Sequence, residues 1–136
     1  MKLVVDTNVL LKALIKDSKV RAILLSPSHQ FAVPEYAIEE VEGHLSLIVE
    51  KSGLSEGEIK LMLSVLLTNI QVIPKEDVLA KWGEAEEIMG SIDRDDIPFI
   101  AASMGAECDG IWSDDRHLKR QSRVKVWTTE DIIHRV

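Results

Sequence analysis

Short apolar runs alternate with longer amphipathic segments along the whole of this 136-residue chain. The apolar runs predict strands at residues 2–5, 31–33, 70–73, 110–113 and 124–127. Helical spacing of apolar residues predicts helices at 9–15, 19–25, 34–52, 55–67, 77–89 and 98–104, with a last helix after 128. This alternation predicts an α/β protein whose parallel sheet is covered by helices on both faces. In such a sheet, the ligand site lies beyond the carboxyl ends of the strands.

Several helix ends carry local signals. We expect Thr7 or Asn8 to cap the first helix, and residues 55–58 form a capping box. Pro34 is expected to begin one long helix, and Gly53 to end it.

Composition and charge narrow the class of protein. The length predicts a single domain over 1–136, and no apolar run approaches the roughly 18 residues of a membrane span. One cysteine, Cys108, predicts a reducing, cytoplasmic setting. The formal net charge of −7 argues against nonspecific binding of nucleic acid through a basic surface. It does not exclude an enzyme that holds phosphates through metal ions.

Acidic residues recur where strands end. Asp6 follows the first strand, and Asp114 and Asp115 follow the strand that ends at Ser113. Helix capping explains each acid when it is taken alone. If the two strands are neighbours in the sheet, however, both sets of acids face one crevice.

Two further groups of acids lie on helices. Glu40 turns about 100° away from Glu39 and lies beside the apolar stripe of its helix, where either a salt bridge or a metal ion would satisfy it. Asp93, Asp95 and Asp96 precede a strongly apolar helix, and three acids exceed what one cap requires.

A divalent cation would remove the repulsion among such acids. Oxygen ligands favour Mg²⁺ or Mn²⁺ over Zn²⁺. The four histidines show no metal-ligand spacing and are interpreted as surface or helix-edge residues; they are His29, His44, His117 and His134.

Four segments together resemble a PIN domain over nearly the whole chain. They are VVDTNVLL, VPEYAIEEVEGH, DRDDIPFIAAS and IWSDDRHL. The order and spacing are most similar to small single-domain prokaryotic PIN proteins, the group that includes VapC-type toxins. The resemblance implies a three-layer α/β/α fold with a central parallel sheet of four to five strands. It also implies cleavage of single-stranded RNA by water activated on Mg²⁺ or Mn²⁺.

The resemblance also assigns site residues. The implied catalytic and metal-binding acids are Asp6, Glu40, Asp96 and Asp115. The implied supporting residues are Asn8, Asp93, Ser113 and Asp114. The resemblance does not fix the basic residues that would contact RNA; the candidates are Lys12, Lys16, Lys119, Arg120 and Arg123.

Two biological roles fit this chemistry. One is the toxin of a toxin–antitoxin pair, inhibited by a small partner whose Arg or Lys enters the acid pocket; the other is a housekeeping RNA-processing nuclease. Helix 55–67 is more apolar than a solvated helix requires, which predicts a homodimer or a docking face; the residues are Leu61, Leu63, Val65, Leu66 and Leu67.

Two alternatives remain at this stage. A phosphatase with a nucleophilic Asp6 would require an acid two residues later, where the chain has Asn8. A PIN-fold binding or scaffold module would leave the acid pocket unused.

Overall fold

The computed structural model describes residues 1–15 and 18–135, and this part of the chain contains five strands and nine α-helices. The strands are β1 (Lys2–Val5), β2 (Gln30–Pro34), β3 (Ile70–Ile73), β4 (Gly110–Trp112) and β5 (Val126–Trp127). The helices are α1 (Thr7–Ile15), α2 (Ser18–Leu25), α3 (Glu35–Gly43), α4 (Leu45–Ser52), α5 (Glu56–Leu67), α6 (Lys75–Ala80), α7 (Trp82–Met89), α8 (Ile97–Gly105) and α9 (Thr129–Ile133). Short 3-10 helices cover Arg94–Asp96 and Leu118–Arg120.

The strands form one parallel sheet in the order β3-β2-β1-β4-β5. This confirms the predicted α/β/α fold with a central parallel sheet. The chain leaves β1 toward β2 on one side and later returns to β4 on the other, so the strand order reverses beside β1. In open α/β sheets, ligands bind in the crevice at this point. Val5 pairs with Trp112, so the residues after β1 and β4 emerge side by side.

Burial explains the apolar runs of the sequence. Residues 3–5 of β1 and all of β4 are buried, as expected for central strands covered on both faces. Helix α8 is buried along its first seven residues and packs against β1, β2 and β4. No helix among residues 1–15 and 18–135 is long and apolar enough to cross a bilayer.

Two predicted helices are each divided in the structure. Segment 34–52 breaks at His44, whose Nδ1 lies 2.7 Å from the Glu40 carbonyl oxygen and so competes for a helical acceptor. Segment 77–89 is longer than predicted and breaks at Lys81, where ψ is 5°.

The cap prediction for the first helix was also wrong. Thr7 is already helical, and the carboxylate of Asp6 accepts the backbone N–H of Val9 at 2.9 Å. The capping box at 55–58 is confirmed, with both Ser55 and Glu58 engaged.

Gly110 is expected to tolerate no side chain, because a Cβ there would clash with the Lys125 carbonyl oxygen. Gly110→Ala should lower the free energy of unfolding by about 1–3 kcal/mol, measured by urea denaturation. Gly43→Ala is the control, since a Cβ added at Gly43 would meet no atom within 4 Å. That change should be neutral or stabilising, because alanine is the better helix former. Equal unfolding midpoints for both variants would contradict the expected β4–β5 clash.

Candidate active site

Asp6 is held rigidly at the end of β1. Its Oδ1 accepts the N–H of Val9, and its Oδ2 accepts the hydroxyl of the fully buried Ser113. Burial raises the pKa of Asp6 to about 6, and the negative charges of Asp114 and Asp115 act in the same direction. The Ser113 hydroxyl and the Val9 N–H oppose this rise only in part.

Asp96 occupies the N-cap position of α8 but its side chain makes no cap hydrogen bond. The residue is 8% exposed, and its Oδ2 is buried with no hydrogen-bond partner among the described residues. Burial is the largest of the causes that raise its pKa to about 7. The negative charges of Asp115, Asp93 and Asp6 raise it further. A buried carboxylate oxygen without a donor is costly unless a cation faces it.

Asp93, Asp115 and His117 complete a tight group around Asp96. One ligand atom from each of the four residues lies within 4.8 Å of the others. The Nδ1 atom of His117 lies 2.9 Å from Asp93 Oδ2 and 3.8 Å from Asp115 Oδ1. A short turn positions Asp115, since its N–H donates to Ser113 Oγ at 3.0 Å and its Oδ1 accepts the N–H of His117 at 2.8 Å.

Glu40 approaches the same place from α3. Its Oε1 accepts the hydroxyl of Thr7 at 2.6 Å. The Tyr36 hydroxyl also interacts with this carboxylate; burial and then Glu40 raise the pKa of Tyr36 to about 12, so the phenol stays protonated. Glu40 is therefore oriented by two hydroxyl groups and has no basic partner among the described residues.

Asp6, Glu40, Asp93, Asp96 and Asp115 line one cavity of about 240 Å³. Six of its described lining residues are Asp or Glu, and none is Lys or Arg. The lining residues are Asp6, Thr7, Asn8, Leu11, Glu40, His44, Asp93, Asp95, Asp96, Phe99 and Asp115. We call this space the acid cavity. The four acids that the sequence assigned to catalysis and metal binding thus share one cavity, together with the supporting residues Asn8 and Asp93.

Asp114 turns away from the acid cavity. Its carboxylate accepts Lys12 Nζ at 2.9 Å, the Thr129 N–H at 2.8 Å and the Thr129 hydroxyl at 2.7 Å. Partial burial alone would raise the pKa of Asp114, but these donors hold it below its usual value. Asp114 therefore joins α1 to the start of α9 and affects Asp6 only through its charge.

The expected RNA-contacting residues are separated in the structure. Lys12 is engaged by Asp114, and Lys16 lies outside the described residues. Lys119, Arg120 and Arg123 are exposed in the connection between β4 and β5.

Sequence reasoning overlooked two contributors to the site. His117 lies at the surface as predicted, with its side chain 53% exposed, but its ring also meets Asp93 across 24 positions of sequence. Its place two residues after Asp115 was the available signal. Thr7 was interpreted only as a cap, whereas its hydroxyl orients Glu40.

The donor set fits a hard divalent ion. Several carboxylate oxygens and one imidazole converge near the unpartnered Asp96 Oδ2. Carboxylates bind Mg²⁺ and Mn²⁺, and Mn²⁺ also accepts imidazole nitrogen. Asp96, Asp93 and Asp115 are the acids best placed to hold such an ion.

Comparison with known proteins now bears on this arrangement. A family model described as PIN domain matches residues 4–135. The chain belongs to the PIN domain family. Sequence comparison with curated proteins found no significant match.

Solved structures with the same fold include VapBC2 from Rickettsia felis bound to a DNA fragment from its promoter. The similarity has a TM-score of 0.73 at 14% identity, and covers 94% of this chain and 98% of that chain. A toxin–antitoxin complex from Klebsiella pneumoniae aligns with a TM-score of 0.61 at 14% identity, covering 83% and 86% of the two chains.

The raised pKa values of Asp6 and Asp96 predict how metal-free stability depends on pH. Both acids are more easily ionised in the unfolded chain. Their contribution to the free energy of unfolding is therefore complete below about pH 3.8. It is lost as pH rises through about 6 for Asp6 and about 7 for Asp96. For Asp6 this loss is at most about 3 kcal/mol. In EDTA, the melting temperature should be several degrees lower at pH 8 than at pH 5.5.

Asp96→Asn should flatten this profile, whereas the exposed control Asp77→Asn should keep it. Mn²⁺ should raise the melting temperature more at pH 8 than at pH 5.5, because the ion competes with protons. Asp114 and Asp131, whose pKa values are lowered, titrate below this window, whereas His29, whose pKa burial lowers from 6.5, opposes the trend in part as pH rises. A metal-free wild type that becomes more stable from pH 5.5 to 8 would contradict the assignment.

Proposed function

We propose that this PIN domain is a metal-dependent endoribonuclease that hydrolyses single-stranded RNA. The observation that carries the proposal is the buried Asp96 Oδ2, which has no partner among the described residues and belongs to a residue that lines a cavity rich in carboxylates. Asp6, Glu40, Asp96 and Asp115 are the proposed catalytic acids and ligands of Mg²⁺ or Mn²⁺. Asp93 and His117 join them on the grounds of distance.

A bound divalent ion supplies Lewis-acid chemistry, activating water for attack on phosphorus and offsetting the charge of the phosphate. The chain's own residues supply orientation. Ser113 and Val9 fix Asp6, Thr7 fixes Glu40, and the turn at 113–117 fixes Asp115. Such preorganised groups need little rearrangement during reaction. No side chain is required as a nucleophile in this proposal.

Toxin activity with a protein partner is the biological role we propose. Both structural relatives named above come from toxin–antitoxin complexes, and the acid cavity would accept the Arg or Lys of a small antitoxin. Cytoplasmic location follows from the same proposal, because cellular RNA would be the substrate.

A homodimer is also proposed, through the faces of α4 and α5. Leu47, Leu61 and Val65 are exposed there, with Leu61 67% accessible. Of the other leucines expected on this face, Leu63 and Leu66 are buried in the chain's own core. Leu67 is partly buried against it.

Cleavage assays test the nuclease proposal directly. The protein should cleave a labelled single-stranded RNA in Mn²⁺, and EDTA should stop the reaction. Asp6→Asn and Asp96→Asn should each reduce the rate at least 100-fold, because both replace a proposed ligand with a near-isosteric amide. Asp77→Asn should retain wild-type activity.

The same oligonucleotide made as DNA and as an RNA duplex tests the substrate class. Cleavage that survives EDTA, or that persists in Asp96→Asn, would overturn the metal mechanism. Equal cleavage of the DNA strand would overturn the restriction to RNA.

Light scattering tests the assembly. The chain alone should be a dimer at micromolar concentration, and Leu61→Glu should yield a monomer because it places a charge on the apolar face. If a small antitoxin-like protein is encoded beside this chain's gene, adding it should give a larger complex that inhibits cleavage. A monomeric wild-type chain would contradict the proposed homodimer. An unchanged mass on mixing would contradict the proposed protein partner.

A further inference from the structure

A second cavity of about 420 Å³ adjoins the acid cavity. It lies between the start of α3, helices α6 and α7, and the start of α8, and it is lined by Pro34, Glu35, Tyr36, Lys75, Val78, Leu79, Trp82, Arg94, Asp95 and Pro98. Asp95 lines both cavities. Tyr36 links them, because its ring lines the second cavity while its hydroxyl interacts with Glu40 in the first. We call this second space the aromatic cavity.

The aromatic cavity combines apolar walls with a charged rim that includes two cations. Trp82 and Tyr36 contribute aromatic surface, and Leu79 is 66% exposed beside them. Its charged lining residues are two cations, Lys75 and Arg94, and two acids, Glu35 and Asp95, whereas the acid cavity has no cation among its described lining residues. The size falls within the range of small-molecule sites, roughly 300–1,000 Å³.

Both cations already have acidic neighbours. Lys75 Nζ lies 2.7 Å from Glu39, and Arg94 lies 2.8 Å from Glu86. All four side chains in these two ion pairs are well exposed to solvent. Exposed pairs of this kind contribute little to stability, so a phosphate can replace the carboxylates at small cost.

We propose that the aromatic cavity is a nucleobase subsite, in which a base stacks on Trp82 while the adjoining phosphates contact Lys75 and Arg94. The proposal rests on the ribonuclease function proposed above and locates its substrate. Proteins commonly bind single-stranded RNA by stacking its bases on aromatic rings and contacting its phosphates with cations.

The position of the aromatic cavity beside the acid cavity favours RNA over a peptide as its occupant. An RNA strand whose phosphate lies in the acid cavity needs cations nearby, and Lys75 and Arg94 line the space directly beside it. A base held against Trp82 would also determine which phosphate reaches the acids. The cavity would therefore contribute both affinity and choice of cleavage position.

Nucleotide titration followed by NMR tests the subsite without any cleavage. The chain has three tryptophans, so a ¹⁵N-labelled sample gives three indole N–H signals, and Trp82→Phe identifies the one from Trp82. In EDTA, millimolar nucleoside 5′-monophosphates should shift the Trp82 signal and leave Trp112 and Trp127 unchanged. No shift of Trp82 with any of the four nucleotides would overturn the proposal.

RNA affinity provides a second readout, measured by fluorescence anisotropy in EDTA. Trp82→Leu keeps apolar volume but removes the ring, and should raise the Kd on the order of 10- to 100-fold. Trp82→Phe retains stacking and should stay close to wild type. In cleavage assays Trp82→Leu should raise KM and leave kcat nearly unchanged, because Trp82 does not line the acid cavity.

Lys75→Gln tests the cations of the rim. It should reduce the slope of log affinity against log salt concentration by about one, the value for one phosphate contact. Lys51→Gln is its control, since Lys51 is exposed on α4 and lines neither cavity. Equal salt slopes for both variants would overturn the role of the rim. Thermal melting of each variant separates loss of binding from loss of fold.

The outcomes distinguish this proposal from the nuclease proposal. If nucleotides shift the Trp82 signal but the protein does not cleave RNA, the nuclease proposal is contradicted and the nucleotide subsite is supported. Cleavage with an unchanged KM in Trp82→Leu would keep the nuclease and overturn the subsite. A Trp82 signal that moves on dilution without nucleotide would indicate a second copy of the chain in the cavity, and would also overturn it.

Discussion

The parallel pairing of β1 with β4 is the constraint on which the acid cavity depends. Because Val5 lies opposite Trp112, the next residues of both strands leave the sheet together. Asp6 then meets the Ser113 hydroxyl, and the turn that starts at Ser113 carries Asp115 toward Asp96. The sheet therefore brings together acids from distant parts of the chain, although the contacts between these acids are repulsive.

This crowding opposes folding when no cation is present. Burial and mutual repulsion favour the protonated forms of Asp6 and Asp96, so the ionised cavity weakens the fold near neutral pH. The apolar surface around it must compensate, and α8 supplies much of that surface because seven of its residues are buried directly behind Asp96. A site that is unstable alone and stabilised by its ligand is typical of functional positions.

Local rules explain which features the sequence predicted well. The alternation of predicted strands with predicted helices identified the parallel sheet. The positions of Asp6 and Asp115 after two of these strands indicated that both acids lie at the same edge of the sheet. The breaks at His44 and Lys81 were missed because apolar periodicity continues through both residues. The contact between His117 and Asp93 depends on how a loop after β4 meets the start of a helix, which no spacing records. Asp114 was grouped with Asp115, although neighbouring residues in an extended turn face opposite sides.

The division between the two cavities follows from the electrostatics of the whole chain. A protein of net charge −7 with a carboxylate-lined centre gains little attraction for RNA at long range. In the proposed function, affinity for RNA would then come from contacts that do not depend on net charge, such as the stacking of bases on aromatic rings. Tyr36 lies where the two requirements meet, with an apolar ring on one side and a hydroxyl toward Glu40 on the other. The proposed binding of substrate and of metal would therefore use adjacent surfaces, with no lysine or arginine among the described lining residues of the acid cavity to compete with the ion.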